Sequence, residues 1–397
     1  MDARERLLLA LNHEEPDRVP TFEIEIDNID VCNHFNEEYV YTGTVKNIND
    51  LYNLSNGNLE QLTKTVLSAT ESRSFLKNIY KKQFGLYDKI GIDLFACPLT
   101  GYIMMPSKID KTSFIDEYGR IFDLKVNPAD GLELFYYRDG LCKTFEDYHE
   151  LTKPDPDNPR RKKYFMAMKK VEKEYNGRVY GAPALWSTFE ATWQTFGFTE
   201  FSKLLTRPKQ IQEVFDDRGK FLVDVLKRYI EWGEESIVFV FDDLGYKTGL
   251  LMSPKYYNKY VIPWLNKLSK IAHKAGLKVI LHSCGEISRI LDDLRQAGVD
   301  ALHPIEPTTA NPDYNIFNLK EKYGDKITLI GNVSPQDLAD KDPDYIKNYT
   351  KRLIEELAPG GGFILSSGHS INPAVKLDNF LAMHETLKKY GKYPIEI

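Results

Sequence analysis

The chain has 397 residues, with 52 Lys and Arg against 58 Asp and Glu and a formal net charge of −6. Its 24 Tyr and 21 Phe exclude an intrinsically disordered chain, and the acidic balance speaks against general nucleic-acid affinity, which needs basic surface. Four scattered cysteines, Cys32, Cys97, Cys142 and Cys284, are too few for a disulfide framework and fit a reducing compartment. The charged start reads as an amphipathic helix rather than a signal peptide, and no apolar run reaches the ~20 residues of a membrane span. A cytoplasmic protein without membrane attachment is expected.

In chain order, residues 1–18 predict a helical addition, followed by a first strand at 19–26 and further helices over 28–75. A second strand is expected at 91–97. Residues 99–177 read as an insertion, with a hairpin at 113–125 around Tyr118-Gly119 and a Pro-rich polar loop at 153–163 whose basic cluster is expected to face solvent. Apolar runs at 178–187, 236–243, 277–284, 301–306, 327–333 and 362–369 then alternate with helical patterns. Ser253-Pro254 and Ser334-Pro335 pair a capping residue with proline at the first helical position. Strand and helix in succession mean parallel pairing through right-handed crossovers. Eight such strands predict an α/β fold, a (β/α)₈ TIM barrel forming a single domain over 1–397. No Gly-rich fingerprint after the first strand supports the competing open, doubly wound sheet.

Catalytic groups of such barrels sit at the C-terminal strand ends. Polar residues collect there: Asp93, the pair Asp242 and Asp243, His282 and Cys284, His303 and Glu306, Asn332, and His369. The sharpest element is His282-Ser283-Cys284. Residues two apart on a strand face the same side, about 6.5–7 Å apart along it, so imidazole and thiolate can converge on one metal. His369 is placed to supply a third ligand, with Glu306 or one of the aspartates completing the set. Only one of Asp242 and Asp243 can point inward, and the other is expected to cap a turn before Gly245. Asp93 either binds substrate or bonds loop amides. Glu23 and Glu25 share one face of the first strand, which is either the lumen or a solvated surface. Trp186, Trp193, Phe196 and Phe198 are expected chiefly to pack, with Trp186 also a candidate for substrate contact.

Arg4-Glu-Arg6, the run 12–20, Phe241-Asp-Asp-Leu-Gly245, His282-Ser-Cys-Gly285, Ala297-Gly-Val-Asp300, Gly331-Asn332 and the run 362–369 together resemble the uroporphyrinogen decarboxylase superfamily. The resemblance covers most of 1–26 and 178–390 and is vaguer from 99 to 177. It implies a (β/α)₈ barrel. It also implies one of two chemistries, that of the haem-pathway decarboxylase or that of zinc methyltransferases that exchange methyl groups with a corrinoid on a separate protein.

Departures separate the branches. The decarboxylase carries arginines near its first strand for a polycarboxylate, whereas 21–26 holds none and contributes Glu23 and Glu25. It also carries an aspartate shortly after its second strand, where this chain has Cys97-Pro-Leu-Thr100. Gly368-His369 with Pro373, by contrast, looks like its late histidine motif. The methyltransferase branch implies His282 and Cys284 as zinc ligands, with His369 standing where a later cysteine would be. The expectation is a zinc methyltransferase with metal ligands His282, Cys284 and His369. Asp242, Asp243 and His369 are its expected catalytic residues, and Glu23, Asp93, Trp186, Glu306 and Asn332 its expected substrate contacts. A corrinoid protein and a small methyl donor or thiol acceptor are the expected partners. The alternatives are a metal-free decarboxylase and a non-catalytic barrel that binds a corrinoid or a partner.

Overall fold

A computed structural model describes residues 1–42, 44–105, 112–127 and 131–396. Seven parallel strands form one sheet in sequence order: β1 (Leu94–Cys97), β2 (Tyr180–Trp186), β3 (Ile237–Phe241), β4 (Lys278–His282), β5 (Ala301–His303), β6 (Thr328–Val333) and β7 (Phe363–Ser367). The expected first strand is reduced to single bridges, yet these join the two edges. Thr21 pairs with Leu365 of β7 and Phe22 with Leu94 of β1. Phe22 N–H donates to Leu365 O at 3.0 Å, and Leu94 N–H to Thr21 O at 3.2 Å. The two edges of this TIM-barrel-like sheet are thereby bridged to one another through a single extended segment.

The strands are mostly apolar, with polar residues toward their C-terminal ends, because helices cover the outer face while the lumen is packed with side chains. Their period of two separates the layers. Phe22, Leu94, Ala182, Ile237, Phe239, Ile280, Ala301, Ile330 and Ile364 form the inner core, which the N-terminal helix Ala3–Leu11 plugs with Ala3, Leu7 and Ala10. Val238, Val240, Val279 and Leu281 face the helices instead. Ser334 caps Pro335–Asp340 through its side chain as expected, whereas Ser253 makes no capping bond.

Four helices at the N-terminal side, Ile29–His34, Thr44–Leu54, Leu59–Thr70 and Arg73–Ile90, agree with the helical reading of 28–75 and extend beyond it. The hairpin pairs Ser113–Asp116 with Arg120–Val126. It belongs to a larger four-stranded antiparallel sheet that also contains Met104–Met105 and Glu133–Gly140. The basic cluster divides: Lys162 and Lys163 are exposed as expected, whereas the two arginines are engaged. Arg161 is fully buried on Glu117 at 2.6 Å, and Arg160 reaches Glu71 at 2.9 Å. Among the described residues, no helix is long and apolar enough to cross a membrane.

Asp93 precedes β1 and so lies at the N-terminal end, opposite the rim where catalytic groups gather. Its buried carboxylate takes Arg6 Nη1 at 2.6 Å, Arg18 Nη1 and Nη2 at 2.8 Å each, and the Thr21 amide at 2.9 Å. The expected substrate contact is a latch that ties the closing segment to β1. Removing one partner of a buried ionic cluster leaves the others uncompensated, at about 3–5 kcal/mol. Asp93→Ala is therefore expected to lower unfolding free energy by about that much in a denaturant titration. A variant as stable as wild type would contradict the latch.

Candidate metal centre at the barrel rim

Strand parity carries inward from Ile280 to His282 and on to Cys284, from Ala301 to His303, and from Ile364 to Ser366. His369 follows two residues after β7, beyond Gly368. The ligand atoms of His282, Cys284 and His369 all lie within 4.8 Å of one another. His282 Nε2 and Cys284 Sγ are 3.5 Å apart, the spacing of two ligands held about 2.0–2.3 Å from one ion.

His282 is buried, and desolvation pushes its pKa down to about 4, so the ring is neutral at physiological pH. Its Nδ1 meets His303 Nδ1 at 2.8 Å, and His303 Nε2 meets Ser366 Oγ at 3.2 Å. Ser366 Oγ in turn donates to Ser367 O at 3.0 Å. One assignment satisfies every member: His282 Nδ1–H donates to His303, and His303 Nε2–H donates to Ser366. It leaves the lone pair of His282 Nε2 facing Cys284, the tautomer a metal ligand needs. His303 is thus a positioning residue. It was visible in sequence as a polar strand end, but its pairing with His282 was not.

The Cys284 thiol is pushed well up, first by burial and then by Asp243, Glu306 and Glu190. A thiolate here requires added positive charge, and a divalent cation would supply it. Two imidazoles and a thiolate also match the three protein ligands of catalytic zinc sites, which keep a further position open. The donor set fits zinc.

The aspartate pair divides as its parity demands. Asp243 faces the centre: its Oδ1 takes the Cys284 amide at 2.9 Å and lies 3.5 Å from His282 Nε2. Asp242 is turned away and buried, accepting the amides of Phe189 at 3.3 Å and Glu190 at 2.7 Å. It caps helix Thr188–Phe196, not the turn before Gly245, and leaves the catalytic set. Burial raises its pKa to about 7. Glu306 takes the Gly285 amide and Thr308 Oγ1, both at 2.9 Å, and so braces the loop behind Cys284. Asn332 is also structural, bonding Ile305 O at 2.8 Å and Tyr349 Oη at 2.9 Å. Trp186 remains at the rim, stacked on Phe241 with ring centroids 4.7 Å apart.

Glu190 had not been anticipated. It lies in the first turn of the helix after β2, and its pKa is lifted to about 8 by burial and then by Asp243. The available signal was its position four residues beyond a barrel strand.

Glu23 faces neither lumen nor solvent. It alternates with the inward Phe22 and Ile24 and is buried beneath the outer helices, where it accepts the Ser367 amide at 3.0 Å and touches Ser367 Oγ. Ser367 Oγ also touches His369 O. One hydroxyl proton cannot serve two acceptors, so the chain is satisfied when Glu23 is protonated and donates to Ser367, which then donates to His369. Burial, raising Glu23 to about 8, agrees with this. Glu23 is thus a support for the His369 turn rather than a substrate contact.

The sign follows from linkage. With a folded pKa near 8 against 4.5, the folded state binds the extra proton, so its stabilising contribution is lost as pH rises from about 4.5 through 8. Glu23→Gln is expected to match wild type in melting temperature near pH 5 and to exceed it at pH 9. Parallel wild-type and variant curves across that range would contradict the assignment.

A family model described as uroporphyrinogen decarboxylase (URO-D) matches residues 126–390. A uroporphyrinogen decarboxylase of Pseudoalteromonas translucida is 27% identical over 295 residues, covering 68% of this chain and 78% of that protein. One from Hahella chejuensis is 27% identical over 322 residues, covering 75% and 84%. In fold, a methyltransferase from Methanosarcina mazei superposes with a TM-score of 0.63 at 16% identity, covering 98% of this chain and 99% of that one.

Proposed function

Because the chain belongs to the uroporphyrinogen decarboxylase family of enzymes, we propose that it is a zinc-dependent methyltransferase, moving a methyl group between a small molecule and a corrinoid carried on a separate protein. The observation that carries this reading is the convergence of His282, Cys284 and His369 to within 4.8 Å at the rim. His282, Cys284 and His369 would hold the ion. When bound, zinc supplies Lewis acidity toward a thiol or a methyl-donor heteroatom, and two imidazoles with one thiolate leave it more electrophilic than a second thiolate would.

The chain's own groups have separate tasks. The His303–Ser366 relay holds the His282 ring, and the Glu23–Ser367 pair holds the His369 turn. Asp243 orients the Cys284 backbone. Breaking a carbon–heteroatom bond leaves the electron pair on the heteroatom, which then takes a proton. Glu190, protonated at neutral pH, donates it at the rim, while Trp186 walls the cleft. The corrinoid protein approaches this same open face.

A second reading, a metal-free decarboxylase, draws on the names of the relatives at 27% identity. Against it, the segment 21–26 holds no arginine where a polycarboxylate would need cations.

Purified protein is expected to carry about one zinc per chain by elemental analysis, to lose it in Cys284→Ala, and to leave uroporphyrinogen unconsumed. Metal-free wild type that decarboxylates uroporphyrinogen would replace this reading with the second. His303→Ala removes only the support of a ligand and is expected to weaken zinc binding about 10–100-fold in a chelator competition. Unchanged affinity would sever His303 from the centre.

A further inference from the structure

A second cavity, of about 350 Å³, lies outside the metal centre. It is bordered by helices Thr44–Leu54, Leu59–Thr70 and Arg73–Ile90, the antiparallel sheet, and the segment that follows β1, and it stands partly open. No charged side chain lines it among the described residues; its walls include Ile48, Leu62, Val66, Phe114 and Phe135. Side chains this apolar normally close upon one another, because an open cavity forfeits the contacts on its empty side. A cavity of ~150 Å³ with such a lining holds benzene, so one of this size accommodates about two fused rings. The volume falls in the range of small-molecule pockets.

Its position ties it to the rim. Leu99, in the short helix Pro98–Gly101, and Tyr102 just after it line the cavity beyond the C-terminal end of β1, the side that bears sites in these barrels. The Tyr102 ring meets Trp186 at 5.1 Å, Trp186 meets Phe241 at 4.7 Å, and Phe241 meets His282 at 5.5 Å. An aromatic wall thus runs from the cavity to the proposed metal ligands.

We propose that this cavity binds an uncharged apolar group of about two-ring size, the non-reacting remainder of the substrate whose methyl-bearing atom sits at the rim. Its role as part of the substrate rests on the methyl-transfer reading; its binding chemistry does not. The test is calorimetric titration of the full chain with naphthalene and with 2-naphthoate, which differs by one carboxylate. One naphthalene per chain is expected, with 2-naphthoate at least 10-fold weaker. Val66→Trp, which fills the cavity, is expected to weaken naphthalene at least 10-fold. Lys64→Trp, on the exposed face of the same helix, is expected to bind as wild type and serves as the folding control. Cys284→Ala is expected to bind naphthalene normally although it loses the metal, so failure of the zinc reading and failure of the cavity are separately visible. Absence of naphthalene binding, equal binding of 2-naphthoate, or wild-type affinity in Val66→Trp overturns the proposal.

Discussion

Two residues of extended chain, Thr21 and Phe22, hold both edges of the parallel sheet, and the rest of the molecule depends on that closure. With the edges joined, alternate residues of each strand are committed to a lumen too narrow for anything but packed side chains. The same alternation then delivers polar residues to the rim wherever a strand runs out of apolar ones. His282, His303 and Ser366 reach one place because Ile280, Ala301 and Ile364 beneath them already point inward. The latch at Asp93 acts at the other end, fixing the closing segment against β1 through two arginines and one amide.

Two short relays, on opposite faces of the same wall, hold the ring of His282 and the backbone of His369. Inside, Ser366 and His303 set the tautomer of His282. Outside, Glu23 and Ser367 anchor the turn that presents His369. Buried polar groups are costly unless every one is paired, and a fully paired chain resists displacement for the same reason. The two supports are themselves joined, since Ser366 Oγ donates to Ser367 O at 3.0 Å, and each neighbouring serine of β7 serves a different histidine.

The local electrostatics are consistent with a cationic occupant. Asp243, Glu306 and Glu190 surround a buried thiol and oppose its ionisation. Arg120, whose charge reaches Glu190, is committed to Asp116 at 2.6 Å and enclosed by the rings of Tyr102, Tyr118, Phe122 and Trp186. The rim thus retains an unmet demand for positive charge around Cys284.

Most of the architecture was legible from residue order. Period-two apolar runs and the helices between them are local properties, and they located all seven strands of the sheet along with His282 and Cys284 as neighbours on one face. The first strand was legible only as a position, since it survives as bridges. The fate of individual polar residues was decided elsewhere. Asp93, Asp242 and Glu23 carry a carboxylate as Asp243 does, and Asn332 is another polar strand residue, yet each is consumed by a partner far along the chain, Glu23 by Ser367 at a separation of 344 positions. Sequence determines which side of a strand a residue faces, because that depends on its neighbours' pleat. Only the closed tertiary structure determines what it meets there, because the partners are brought together by closure and not by proximity in the chain.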